Sequence, residues 1–433
     1  MANPVLALFT SLKLTIVCLA FAMVLVVVGT LAQVELGIYI AQQKFFDTFL
    51  VWHQFGANGP RLPILPGGWL IGLVLVVNLL AAHLSRFTLG WGRLALALAF
   101  IIPQGWLVMK IGYTPMPLVL LFLANGAVGL YVTSRLHWQK LGITLTHFGV
   151  VILLLGGLFT ALYSVESQMT IDTGQTVHFS ESTRGIELAV IDHSPADHDN
   201  VVAIPQSILA KQGTVTHPAL PFSIRVKKYM ANSEMARREE GDKGAPQASA
   251  GLGTRFKVEE APIVTKMNAR DIPAAIVEVM QGDKILGTYM VSLWFKFVMP
   301  ESVQTVEVDG KKYDLAMRPE RFYKPFSLTL LKFSHDKYTG TNIPKNFSSL
   351  VRLKDAKQNE DREILIYMNA PMRHGGETYY QADFRNDDRT TILQVVRNPN
   401  WIMPYIACTL VSLGLFVQFG AHLLRFIKRR ATA

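Results

Sequence analysis

Residues 141–162 read LGITLTHFGVVILLLGGLFTAL, a run with no acidic or basic side chain. A helix needs about 20 mainly apolar residues to cross a bilayer core, so this stretch predicts a membrane span. The sequence beyond it is of another kind. From Tyr163 to Asn400 the chain carries 30 Asp and Glu against 30 Lys and Arg, the balance of a soluble domain. The seam after Leu162 therefore divides a membrane-embedded region, residues 1–162, from a large water-soluble domain, residues 163–400.

Other apolar segments lie on both sides of that domain. Leu12–Ala32, Gly68–Leu84, Leu94–Met109 and Met116–Thr133 precede it, and Ile402–Phe426 follows it within a C-terminal region, 401–433. Together they predict a polytopic bundle of about six spans, with Pro103 and Gln104 interrupting the third. The run from Leu14 to Ala32 exceeds a signal h-region and lacks a small-residue cleavage site, so an uncleaved first span is expected.

The net charge of +10 belongs to these flanks, where 12 basic residues face only Glu35 and Asp47. Lys13, Arg86, Arg93, Arg135, Lys140, Arg425, Lys428, Arg429 and Arg430 gather at one set of span ends. Basic residues stay inside, which predicts both termini in the cytoplasm and the 163–400 domain on the far side, periplasmic or extracellular. Arg93 and Arg135 then require the Trp91–Leu136 segment to cross as a pair or re-enter as a hairpin. Trp52, Trp69, Trp401 and Tyr405 fall near the outer boundary, where amphipathic rings settle. A nucleic-acid surface would have put the basic excess on the soluble domain, so no nucleic-acid partner is expected.

The outer domain reads as mainly β. Ile186–Ile191, Ser223–Val226, Ala275–Val279, Thr305–Val308 and Ile364–Tyr367 mix β-branched and aromatic residues. Asp309-Gly310, Gly340 and Gly375-Gly376 mark turns. Ala231–Gly253 is small, charged and Gly-rich, which predicts a mobile surface loop or a linker between sub-lobes. The fold class is thus a membrane protein of α + β type, a helix bundle carrying a large β-rich extracytoplasmic domain.

Little of the familiar chemistry is present. Cys18 and Cys408 both sit in apolar runs, so the chain holds no disulfide framework, CxxC pair or CxxCH haem-attachment site. No phosphate loop, nucleophile elbow or HExxH occurs, and the catalytic residues stay unknown. Asp192-His193 and Asp197-His198-Asp199 read as a solvated acidic loop, Arg385 to Arg389 as a charged turn, and Asn78 as a helix–helix hydrogen-bonding residue.

Histidines in the spans are more informative. AHLSRF (82–87) closes the second span and AHLLRF (421–426) closes the last. His83 and His422 each stand three residues before a basic anchor, about 4.5 Å of helix rise, which predicts a similar depth for both. His147, seven residues after Lys140, enters from the same side. A polar ring in a bilayer must find a partner, and neutral imidazole is a common axial ligand of haem iron. Hydrogen bonding to a neighbouring helix, or snorkelling to the headgroups, answers the same need.

Several stretches resemble one family. Gly29-Thr30-Leu31-Ala32-Gln33, Ala41-Gln42, Lys44-Phe45-Phe46, Pro66-Gly67-Gly68 and Asn78–His83 are similar to the first half of ResB (CcsB), the membrane protein of system II cytochrome c biogenesis. Gly142–Gly156, Val165-Glu166-Ser167, Tyr323–Leu328, Pro344–Ser349, Ile366–Asn369, Tyr379-Tyr380-Gln381 and Val395–Pro399 continue the likeness in order. The resemblance implies a bacterial cytoplasmic-membrane subunit of a cytochrome c synthase, not active alone. It implies a ResC/CcsA-type partner, haem b as the transported substrate, and apocytochrome c as the acceptor whose CxxCH thiols take the haem vinyl groups. It also singles out His83 as an axial haem ligand, while His147 and His422 stay candidates by their place in the spans alone. Two departures stand out: the usual ResB has four spans, and this chain lacks the partner's tryptophan-rich haem-handling segment. A non-catalytic membrane scaffold or receptor is the rival expectation.

Overall fold

The computed structural model describes residues 4–56, 59–84, 141–239, 246–264, 270–299, 303–340, 344–385 and 389–432. The segments Leu94–Met109 and Met116–Thr133 lie outside the described residues. The chain divides into two compact units, one of residues 1–165 with 397–433 and one of residues 166–396.

In the first unit, helix α1 (Leu12–Ala41) is followed by a β-hairpin of β1 (Leu50–Gln54) and β2 (Arg61–Pro66). Then come α2 (Gly68–Leu84), α3 (Leu141–Tyr163) and α4 (Met403–Ala431). Among the described residues, three helices are long and apolar enough to cross a membrane: Leu12–Ile38, Leu141–Tyr163 and Met403–Ala431. At 1.5 Å per residue, the 23 residues of α3 span about 35 Å, enough for a hydrocarbon core of about 30 Å. Helix α2, with 17 residues, is shorter than a typical span. Gly37 leaves helical geometry inside α1 (φ 73°, ψ 163°), so that helix kinks at its end. The chain is a membrane protein with three candidate spanning helices among the described residues and a large, mainly β unit.

In the second unit the strands alternate buried and exposed residues wherever one face meets a core, as in Val165–Asp172 (β3). The large sheet has ten strands. In spatial order its main path is Glu360–Tyr367 (β15), Pro344–Asp355 (β14), Lys311–Lys337 (β13), Thr176–Asp192 (β4), β3, Thr390–Arg397 (β18), Glu377–Arg385 (β17) and Met372–His374 (β16). Asn200–Pro205 (β5) adds to β4, and Gln304–Val308 (β12) adds to β13. A second sheet runs Lys284–Ser292 (β11), Ala274–Gln281 (β10), Ser223–Met230 (β7) and Gly213–Val215 (β6). Each of the five apolar runs read as strands falls within a strand here. Asp309-Gly310, both at positive φ (52° and 77°), form the two-residue turn joining β12 to β13.

Strand β13 is 27 residues long, about 90 Å if straight, and one core cannot bury it. Its first part lays Tyr313, Leu315 and Met317 into a core shared with the four-stranded sheet. Its second part lays Phe326, Leu328, Leu330 and Phe333 into a different core under β14, β15, β17 and β18. Between the two, its ladder with β4 breaks register twice, between Pro319 and Arg321 and between Tyr323 and Leu328. Bulges bend and twist a strand, and these carry β13 from one core to the next.

One expectation fails. The stretch Ala231–Gly253 is not a loose loop throughout, although residues 240–245 lie outside the described residues. Ser233–Arg237 (β8) pairs with Phe256–Glu260 (β9), and Ser233 is buried, its hydroxyl donating to the Ile272 carbonyl at 2.7 Å. Ala248 and Leu252 join a third core with Met230, Met290 and Phe295. A Cβ on Gly253 would stand 2.5 Å from the Met290 Cβ. Its small residues serve close packing, which composition alone cannot separate from flexibility.

Candidate functional site

In the helical unit, α3 and α4 pack antiparallel through glycine. Gly142, Gly149 and Gly156 recur every seven residues, which holds them to one face of α3. A Cβ at Gly142 would lie 2.7 Å from the Gly414 carbonyl, one at Gly149 2.8 Å from the Ala407 carbonyl, and one at Gly156 2.9 Å from Met403 Cβ. Close helix approach through small residues is the usual way membrane helices gain contact where water gives no driving force.

That register fixes two of the three candidate histidines. His147 lies between the contacts of Thr146 with Gly414 and Gly149 with Val411. His422 stands eight to eleven residues further along α4, roughly 12–16 Å of rise. His147 and His422 therefore do not stand level along this antiparallel pair. The His147 Nδ1 lies 2.8 Å from the Ile143 carbonyl of its own helix. The Gln418 amide donates to His422 Nε2 at 2.9 Å, again within one helix. His83 occupies the last turn of α2, and its side chain lies outside the described residues. Asn78, one turn earlier, behaves as read from the sequence. It is buried, accepts from Thr15 Oγ1 at 2.6 Å, and donates to the Phe9 and Ser11 carbonyls at 2.7 and 3.1 Å.

In the β unit the motifs quoted from the sequence converge. Lys324 Nζ donates to Glu377 Oε1 at 2.6 Å, and the fully buried Tyr379 donates its hydroxyl to Glu377 Oε2 at 2.7 Å. Burial, then the neighbouring Glu377 carboxylate, pushes the Tyr379 phenol well up. Phe326 sets its ring edge against His374, centroids 4.5 Å apart, and His374 Nε2 lies 2.9 Å from Asp355 Oδ2. That hydrogen bond and two backbone amides hold the Asp355 carboxyl below its ordinary value. Ser349 donates to Gln381 Oε1 at 2.6 Å and meets Thr391 Oγ1 at 2.8 Å. A buried, satisfied polar network of this kind fixes the register of β13, β14, β17 and β18.

The exposed part of the same motif lies where β13 changes core. Tyr323 is 53% exposed. Its ring meets Phe179 at 5.9 Å and His178 at 5.8 Å, and its hydroxyl accepts from Arg318 Nη2 at 3.3 Å. Arg321 lies 4.1 Å over the Phe179 ring and donates to Glu181 at 3.1 Å. Lys296 Nζ reaches the other Glu181 oxygen at 2.6 Å. Burial raises the Glu181 carboxyl, but Lys296 and Arg321 overcome this and hold it below its usual value. Burial lowers the Lys296 ammonium, and Arg321 and Arg270 lower it further against the pull of Glu181. These cations were not singled out in the sequence, because Glu181 and the residues that meet it are far apart in the chain. The acidic loop behaves as a surface feature: His193, half exposed, is bonded to Asp199 and Asp314, which raise its pKa. No group of three metal-ligating side chains occurs among the described residues.

A helical unit with three candidate membrane spans, together with a large β-rich unit, defines the class: a membrane protein carrying a β domain. The profile of the ResB-like family matches residues 125–248 and 295–393, just over half of the chain. The chain belongs to the ResB-like family. His147 and most of the β-unit motifs fall inside the match, while His83 and His422 fall outside it. A similar curated protein is Protein NrfI of Wolinella succinogenes, 33% identical over 112 residues, 26% of this chain. The likeness spans only 12% of that relative's own length. A solved structure of the cytochrome c haem lyase CcmF aligns over 80% of this chain and 39% of its own, at 12% identity and a TM-score of 0.26, too slight to carry an argument.

Proposed function

We propose that this chain is the ResB-like subunit of a system II cytochrome c synthase. It works beside a ResC/CcsA-type membrane partner, receives haem b as its transported substrate, and presents it for attachment to the CxxCH thiols of apocytochrome c. Membership of the ResB-like family is the observation that carries this reading. The chain lies in the bacterial cytoplasmic membrane, with both termini cytoplasmic and residues 163–400 outside. The basic C-terminal turn of α4, with Lys428, Arg429 and Arg430, supports that orientation.

Within this reading His83 offers an imidazole to the haem iron from the inner end of α2, and the partner supplies the second ligand. The outer domain holds the unfolded apocytochrome so that its thiols meet the vinyl groups, a contribution of proximity. The thiols must arrive reduced by another protein, because Cys18 and Cys408 lie in membrane helices and form no pair.

The test is spectroscopic. The protein co-purified with its partner is expected to show a haem Soret band that His83→Ala removes, while His147→Ala and His422→Ala keep it. A normal band in His83→Ala would sink the ligand assignment. A colourless wild-type complex would favour a scaffold.

A further inference from the structure

Four polar side chains and three aromatic rings gather at the point where β13 passes between its two cores. Lys296 and Arg321 both bond one carboxylate, Glu181, and Arg270 also feels its charge. Lys296 and Arg321 occupy its two oxygens, at 2.6 and 3.1 Å. Side chains this close together repel unless an anion joins them, and Glu181 neutralises only part of the charge. Beside them Phe179, Tyr323 and His178 form an aromatic cluster with centroids 5.8–5.9 Å apart, and Arg321 covers the Phe179 ring. Both register breaks of the β13–β4 ladder flank Arg321 and Tyr323, and bulges commonly re-aim side chains at sites. A purely structural ion pair needs neither the surplus cations nor an aromatic shelf with an exposed tyrosine.

We propose that this cluster is a docking site for a flat aromatic ligand bearing carboxylates. Its acid groups pair with Arg321 and Lys296, and its ring system lies against the exposed Tyr323 ring. Resting on the haem-handling reading above, the ligand is the porphyrin, held by its two propionates on the outer domain. Arginine suits the role, because its planar fork matches a carboxylate and its face stacks on aromatic rings. Glu181 is then a resident competitor that keeps the cations ordered until an outside carboxylate replaces it.

The probe is metal-free protoporphyrin IX, with its dimethyl ester as the uncharged control. Each is titrated into the full-length chain in nanodiscs, with empty nanodiscs subtracted. The diacid is expected to bind more tightly than the diester. Arg321→Gln combined with Lys296→Gln is expected to weaken diacid binding about tenfold, the scale of losing a charge-assisted hydrogen bond, and to leave the diester unchanged. Arg321→Lys keeps the charge but loses the fork and the stacking, so it is expected to bind the diacid between wild type and the double variant, which guards against a folding defect in the latter. Glu181→Gln is expected to tighten the diacid, since it removes the competitor and keeps the shape. Equal affinity for diacid and diester, an unchanged diacid affinity in the double variant, or weaker binding in Glu181→Gln would overturn the proposal. Because metal-free porphyrin takes no axial ligand, these outcomes are separate from the His83→Ala Soret test, and either reading can fail alone.

Discussion

At the scale of single residues, the β unit spends its chemistry on buried pairs. Asp355 and His374 are both buried, and Phe326 seals the imidazole from one side. Asp355 accepts from His374 and from the amides of Lys357 and Gln358, so its folded pKa lies below that of the unfolded chain. The sign follows from linkage. A depressed carboxylate contributes its full stability above the ordinary Asp range, near about pH 4, and loses it as pH falls through the folded value. Asp355→Asn should therefore melt below wild type at neutral pH, and the gap should close on acidification toward about pH 3. Thermal melts of the two proteins across that range check this, and parallel curves would refute it. The histidines show how far residue reading reached. Asn78 was legible because a lone amide in an apolar run has few other uses. The level of His147 was not, because depth counted from the nearest lysine ignores where the partner helix begins.

At the scale of elements, the α3–α4 contact turns on absent side chains. Gly149 is buried against the Ala407 carbonyl, whereas a Cβ on Gly157, about two turns along and on another face, meets open space. Gly149→Val should cost about 1–3 kcal/mol through overpacking, and Gly157→Val should leave helix packing near wild type. Melting of both variants in nanodiscs separates the cases; equal stability would show that the glycine face is not the contact. Three glycines seven apart were visible in the sequence, yet period alone does not say which helix answers them. Strands were more legible. Runs such as Ala275–Val279 pair β-branching with burial on both faces, and Asp309-Gly310 permits one kind of turn. The length of β13 was not legible, because its bulges at Arg321 and Tyr323 look like the end of one strand and the start of another.

At the scale of the whole molecule, charge separates the regions more sharply than hydropathy does. Residues 163–400 are neutral in sum, so the basic excess lies on the flanks, where the proposed arrangement uses it to set orientation. The proposed arrangement places the turn of β10 and β11, Gly282-Asp283, outside the cell and the end of α4 inside. Asp283 is exposed, in the two-residue turn between Gln281 and Lys284. Ser233, in the Gly-rich stretch that composition assigned to a surface loop, is buried and would report nothing. In a background with Cys18→Ser and Cys408→Ser, Asp283→Cys should react with a membrane-impermeant maleimide in intact cells, and Lys428→Cys only after lysis. The reverse pattern would put the aromatic–cationic cluster on the cytoplasmic side, away from any apocytochrome, and would remove the proposed function together with the porphyrin site. Labelling at both positions in intact cells would instead mean that the termini are not inside, and the charge rule would have failed for this chain.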